Sequence, residues 1–123
     1  MQKQDKKVLA VVDDLLFTVK INDAAKRVGL TLEFVKSERD LFEKAREHPR
    51  LIIFDLNANS VEPVKLISTL KENAETKGIS LIGYLSHIQG DLKQQAHDAG
   101  ADMVMARSAF SQNLLQILKR HAG

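Results

Sequence analysis

The chain has no cysteine, which removes disulfide frameworks and cysteine-based zinc or redox sites and fits a reducing compartment. It has no apolar run approaching the roughly 20 residues that a membrane span requires. Its start, MQKQDKK, is polar and charged, with no apolar signal-peptide core behind it. These absences point to a cytoplasmic protein that does not engage a membrane. No dense block of one charge sign is present either: 18 Lys plus Arg are interleaved with 16 Asp plus Glu, leaving a net charge of +2. Nucleic-acid binding calls for a basic face and a recognisable reading element, so nucleic acid is not expected as a direct partner. No Gly-x-Gly-x-x-Gly follows a strand-like segment, which argues against a dinucleotide site. The histidines, His48, His87, His97 and His121, show no metal-ligand spacing. There is no internal repeat, linker or low-complexity segment.

What is present is the material of one globular domain. Hydrophobic residues make up 44% of the 123 positions and charged residues 28%, enough for a real core and too short a chain for two ordinary domains. Strand-length apolar segments alternate with helical patterns five times. Lys7 to Val12 is an almost continuous apolar run, as expected of a parallel strand buried on both faces. Phe17, Ile21, Ala24, Ala25 and Val28 then fall at helical spacing, with Gly29 placed to end that helix. Thr31 to Val35 alternates polar and apolar residues and suits an edge strand. Ser37 followed by Asp40 opens a second helix with a capping-box spacing, and Leu41, Phe42 and Ala45 face inward before Pro49.

The central strand LIIFD, Leu51 to Asp55, is followed by a loop over 56–62. Pro63 starts a third helix, where its missing N–H does no harm, and Val64, Ile67 and Leu70 mark its buried stripe. Lys77-Gly78 breaks the pattern before a fourth strand, Ser80 to Leu85, which ends at Ser86-His87. A short helix from about Asp91 to Ala99 and the turn Gly100-Ala101 lead to a last strand, Met103 to Ala106, closed by Arg107. Ser108 is the expected cap of the final helix, whose inner face carries Phe110, Leu114, Ile117 and Leu118. Five β/α units with right-handed crossovers imply a parallel sheet covered on both faces, a three-layer α/β sandwich. The expected strand order is 2-1-3-4-5, the flavodoxin-like arrangement, with its switch point between the first and third strands.

Asp13 and Asp14 end the first of those strands and Asp55 ends the third. Side by side, the two strand ends bring three carboxylates into one crevice, where open α/β sheets bind ligands. A hard divalent cation with oxygen ligands, Mg2+ first, would hold such a group together. Taken singly the features have plainer readings. Adjacent Asp residues after a strand also form turns and cap helices, Ser86 alone is a loop hydroxyl, and Arg107 alone could serve as a structural counter-ion to the acidic pocket.

VVDD after the first strand, a lone Asp ending the third, Ser86 ending the fourth, Arg107 ending the fifth and the AGAD turn before it together resemble the receiver domain of two-component response regulators. The resemblance spans about Lys7 to His121. It implies that Asp55 accepts a phosphoryl group from a sensor histidine kinase or phosphotransfer protein. Asp14, Asp55 and the backbone carbonyl of Asn57 would bind Mg2+, with Asp13 acting through a coordinated water. Ser86 would donate a hydrogen bond to the phosphoryl oxygens and Arg107 would pair with them as a cation. The domain would then act as a phosphoprotein switch on a downstream protein partner through its fifth strand and final helices.

The departures define an alternative. Where the family has Lys, this chain has Arg107, whose planar fork is not equivalent to a compact ammonium. Ser108 replaces the usual Pro after it, and the loop Ala58-Asn59-Ser60-Val61-Glu62-Pro63 keeps only an apolar and an acidic position of the family pattern. His87 stands where the family prefers a small residue, and Val104 stands at the aromatic switch position, with Tyr84 on a neighbouring strand and not a matching replacement. The alternative is a pseudo-receiver, a protein-interaction module independent of phosphorylation. An Asp-nucleophile phosphatase ranks last, since Asp14 and Leu15 are followed by Leu16 rather than Asp and no cap insertion is present. The chain carries no appended output domain, so output would travel through contact with another protein, or the chain is a piece of a longer one.

Overall fold

Two strands set the architecture. β1 (Lys7–Val11) and β3 (Leu51–Asp55) lie parallel and paired, Val8 opposite Leu51 through Val11 opposite Phe54. Both are buried on both faces, as their unbroken apolar runs demand. The computed structural model describes residues 6–86 and 89–122. Around the central pair the order is β2-β1-β3-β4-β5, every neighbouring pair parallel, with β2 (Thr31–Phe34), β4 (Ser80–Leu85) and β5 (Met103–Ala106). The expected flavodoxin-like order is the observed one. β2 lies at an edge, as its alternation implied.

Five helices cover the sheet: α1 (Leu15–Arg27), α2 (Glu38–Ala45), α3 (Pro63–Glu72), α4 (Gly90–Ala99) and α5 (Arg107–Ala122). The period-2 alternation of strand side chains splits the core into two layers. Leu9, Val11, Ile52, Phe54, Leu81 and Leu85 pack with Leu41 of α2, Leu66, Ile67 and Leu70 of α3, and Ala96 of α4. On the other face Val8, Leu51, Ile53, Ile82 and Tyr84 pack with Phe17, Ile21 and Ala25 of α1 and with Phe110, Leu114, Ile117 and Leu118 of α5. Phe17, Ile21, Ala25, Leu41, Ala45, Ile67, Leu70, Ala96 and the α5 face are buried as expected, whereas Ala24, Val28, Phe42, Val64 and Leu92 are half-buried and α3 buries Leu66 as well.

Local signals end the elements where expected. Ser37 Oγ accepts from Asp40 N at 3.0 Å, and Asp40 Oδ2 accepts in return from Lys36 N at 3.1 Å, a capping box shifted by one residue. Gly29 and Gly100 take positive φ, +79° and +117°, closing α1 and α4 in the left-handed conformation. Four boundaries differ. β1 and β2 each end one residue early, at Val11 and Phe34. α4 begins at Gly90, one residue early. α5 begins at Arg107, immediately after β5, so Ser108 lies inside the first turn and does not cap it. The strand runs into the helix with no connecting residue, and a cap has no room to form.

Candidate functional site

The site forms where β1 and β3 end. Asp55, the last residue of β3, is 5% exposed, and its Oδ1 accepts from Asn57 N at 2.9 Å. Burial raises its carboxyl above the ordinary carboxylate range, and Asp13 and Asp14 push the same way. The Asn57 N–H and the Arg107 guanidinium act against them without cancelling the rise.

Asp14 serves two elements at once. Its Oδ1 accepts from Leu16 N at 2.9 Å and Phe17 N at 3.3 Å, capping α1. Its Oδ2 lies 3.2 Å from the Arg107 terminal amine, across the top of the sheet. The guanidinium carbon sits 5.3 Å from the centroid of Phe17, the range of a cation–π contact. The helix-cap and counter-ion readings of Asp14 and Arg107 are therefore both realised in the folded chain.

Asp13 turns the other way. Its Oδ2 accepts from Asn59 N at 2.9 Å and Ser60 N at 3.4 Å, and its Oδ1 accepts from Ser60 Oγ at 2.9 Å. Burial works against its charge, but these hydrogen bonds outweigh it and hold the carboxyl below the ordinary range. The result is a clasp between the β1 end and the loop after β3. Among the described residues no group of three or more acidic or histidine side chains is gathered as a metal cluster; the oxygens of Asp13 and Asp14 are directed to protein donors.

Asn57 does more than offer a carbonyl. Its Oδ1 accepts from Ser86 N at 2.8 Å and its Nδ2 donates to Gln89 Oε1 at 2.9 Å, joining the loops after β3 and β4. Ser86 is exposed on the rim of the same crevice. His87 falls outside the described residues. Val104 is half-buried against the α2–α4 core layer. Beneath Arg107 three aromatic rings stack: Tyr84 lies 4.9 Å from Phe17 and 4.9 Å from Phe110, the latter pair inclined by 13°. Tyr84 is fully buried, and burial drives its phenol far above the ordinary value, with Asp55 the next cause.

Asp13, Asp14, Asp55, Asn57, Ser86 and Arg107 are the candidates named from the sequence, and the fold brings all six to the C-terminal ends of β1, β3, β4 and β5. Phe17, Asn59, Ser60, Tyr84 and Gln89 are not among those candidates. Phe17 and Tyr84 read as core residues, and the polar loop residues have no pattern until the loop is folded. Beside Asp14, α1 leaves Leu15, Leu16 and Val19 exposed at 78%, 70% and 56%, around a shallow apolar hollow of about 720 Å³.

No family model and no curated protein sequence matches the chain. Solved structures do. The phosphorylated cyanobacterial phytochrome response regulator RcpA matches with a TM-score of 0.78 at 21% identity, over 94% of this chain and 90% of its own. The chemotaxis response regulator CheY4 of Vibrio cholerae matches with 0.79 at 20%, over 95% and 98%. The Mn2+-bound response regulator Rcp1 matches with 0.76 at 15%, over 94% and 90%. The chain has the fold of response-regulator receiver domains.

Proposed function

We propose that the chain is a single receiver domain, its core spanning about 7–121, that accepts a phosphoryl group on Asp55. The observation that carries this reading is the placement of a buried carboxylate, a second carboxylate, a hydroxyl and a guanidinium around one crevice at the switch point of this fold. In the transfer, a carboxylate oxygen of Asp55 attacks the phosphorus of a phosphohistidine or small acyl phosphate. The new P–O bond forms as the bond to the donor breaks, and the donor leaves with that electron pair. Burial raises the proton affinity of Asp55, and the Arg107 guanidinium opposes that rise by favouring the charged carboxylate that attacks. Ser86 and Arg107 are the groups that would meet the phosphoryl oxygens.

The donor chemistry suits a hard divalent cation such as Mg2+: carboxylates of Asp13, Asp14 and Asp55 and the Asn57 carbonyl are all oxygen ligands. When bound, the cation supplies neutralisation of charge on the transferring group. Arg107 already sits on Asp14, so cation and guanidinium compete for that oxygen. A sensor histidine kinase or phosphotransfer protein would be the donor, and a downstream protein the reader; no helix among the described residues is long and apolar enough to cross a membrane. The domain would receive and hold the group rather than turn over a substrate.

The Asp14–Arg107 pair also favours a second reading, a pseudo-receiver whose pocket is balanced by its own cation without phosphate. Intact-protein mass spectrometry after incubation with acetyl phosphate and Mg2+ decides between them. One added phosphoryl group in the wild type, absent in Asp55→Asn, supports the acceptor. No addition in the wild type or in Arg107→Lys supports the pseudo-receiver.

A further inference from the structure

Three buried polar side-chain atoms among the described residues find no hydrogen-bond partner: Glu33 Oε1, Tyr84 Oη and Arg107 Nε. Glu33 is accounted for by Lys7 Nζ at 3.3 Å. The other two belong together. Asp55 of β3 is in register with Tyr84 of β4, and Tyr84 with Met105 of β5. Residues two apart along a strand point to the same side, so Asp55 lies on the side of Ile53, while Arg107, the residue after β5, opens α5. Ile53, Ile82 and Tyr84 belong to the α1–α5 core layer, so Asp55 and Tyr84 form a lateral row on that side, which Arg107 joins from the start of α5 with its guanidinium 5.3 Å from the Phe17 ring. Phe17 ties the row together, its ring touching both Tyr84 and the guanidinium.

Both unpaired atoms are donors at working pH. Burial holds the phenol protonated, and a guanidinium offers N–H donors and no acceptor. Leaving a donor buried without an acceptor destabilises a fold, because its lost hydration is not replaced, and this row contains two such donors beside one carboxylate. The arms of Arg107 are already divided: one terminal nitrogen faces Asp14 at 3.2 Å, which leaves the Nε–H edge for something else. A lysine in this place has a single ammonium and no such division of labour.

We propose that Tyr84 is a further residue of the phosphoryl site: with a phosphoryl group on Asp55, the Tyr84 hydroxyl and the Arg107 Nε–H donate to its oxygens from the α1–α5 side. The inference rests on the acceptor reading above. It assigns Arg107 a bridging role, one nitrogen on Asp14 and another on the phosphoryl group. It also gives a hydroxyl in the core a reason to be there, since a phenylalanine would stack equally well on Phe17 and Phe110.

The chain has one tyrosine and no tryptophan, so its ultraviolet emission reports Tyr84 alone. The experiment titrates beryllofluoride, a phosphoryl mimic, with Mg2+ present. Tyrosine emission is followed in the wild type, and calorimetry in the wild type, Tyr84→Phe, Arg107→Lys and Asp55→Asn. Expected are a change in wild-type emission that Asp55→Asn abolishes, and binding about tenfold weaker in Tyr84→Phe and in Arg107→Lys, the loss of one charge-assisted hydrogen bond each. Without ligand Tyr84→Phe should melt no lower than the wild type, because the unpaired hydroxyl is gone. Undiminished binding by Tyr84→Phe with wild-type emission unmoved would overturn the proposal and leave the acceptor reading standing. Absence of binding by the wild type would overturn both. Should Tyr84→Phe fail to fold, wild-type emission and Arg107→Lys decide: unmoved emission with wild-type affinity refutes it.

Discussion

Replacing Arg107 by Gln removes the cation of the pocket while keeping a polar side chain of similar reach. The pair with Asp14 is half-exposed, 38% and 28% on the two sides, so its Coulomb energy is largely screened and it contributes about 0.5–1 kcal/mol. The contact with Phe17 adds about 0.5–1 kcal/mol. Without divalent cations the variant should therefore be less stable by about 1–2 kcal/mol, a melting point lower by roughly 4–8 °C for a domain of this size. Adding Mg2+ should reverse the order of effects. If cation and guanidinium share the Asp14 oxygen, releasing about 1 kcal/mol of competition tightens Mg2+ binding roughly fivefold. Thermal unfolding by circular dichroism across a Mg2+ series reads both quantities, because a ligand of the folded state raises its stability with concentration. An Asp14→Asn partner in a double-mutant cycle isolates the pair. Equal stabilisation of variant and wild type by Mg2+ would refute the competition, and an unchanged metal-free melting point would show the pair to be without weight.

Asp55→Asn keeps the acceptor for the Asn57 N–H and removes a buried charge. Because folding raises the Asp55 proton affinity, the folded state binds this proton more tightly than the unfolded chain. Its stabilising share is complete below the ordinary value and is lost as pH rises through the raised one. The variant should be the more stable protein at neutral pH, by about 1.4 kcal/mol for each tenfold difference in proton affinity. Urea unfolding should show the gap closing as pH falls toward 3.8; a pH-independent gap would contradict the account. Gly83→Ala places a Cβ 3.0 Å from Leu56 Cγ and Cδ1, and overpacking of this kind destabilises by about 1–3 kcal/mol, to be read as a lower urea midpoint.

The architecture was legible because its signals are local and repeated. Continuous apolar runs mark the buried strands, and Phe17, Ile21 and Ala25 or Leu114, Ile117 and Leu118 mark one helical face each. The candidate site was legible in part because strand ends converge by topology: once β1 and β3 are neighbours, Asp13, Asp14, Ser86 and Arg107 must approach Asp55. Directions of side chains were not legible. Nothing in VVDD says that Asp13 turns to Ser60 while Asp14 turns to Arg107; that follows from the loop over 56–62 folding back across β1. The capping role expected of Ser108 failed for a related reason, since residue types favour a cap there but β5 enters α5 without an intervening residue. Tyr84 was read as a core aromatic, which it is, and its unpaired hydroxyl becomes visible only when its neighbours are placed.

Arg107 occupies the first position of a 16-residue helix, the end at which the aligned peptide dipoles repel a cation. Its hold there depends on Asp14, which is anchored to a different helix. The guanidinium is thus a hinge pin shared by α1 and α5, seated against the grain of one of them. Anything that tilts α5 shifts the pin, and anything negative that arrives near Asp55 pulls on α5 through the same residue. If a protein gripping the outer surface of α5 shifts Arg107, then by reciprocity it and an anion in the crevice alter each other's affinity by the same factor, although the two never touch.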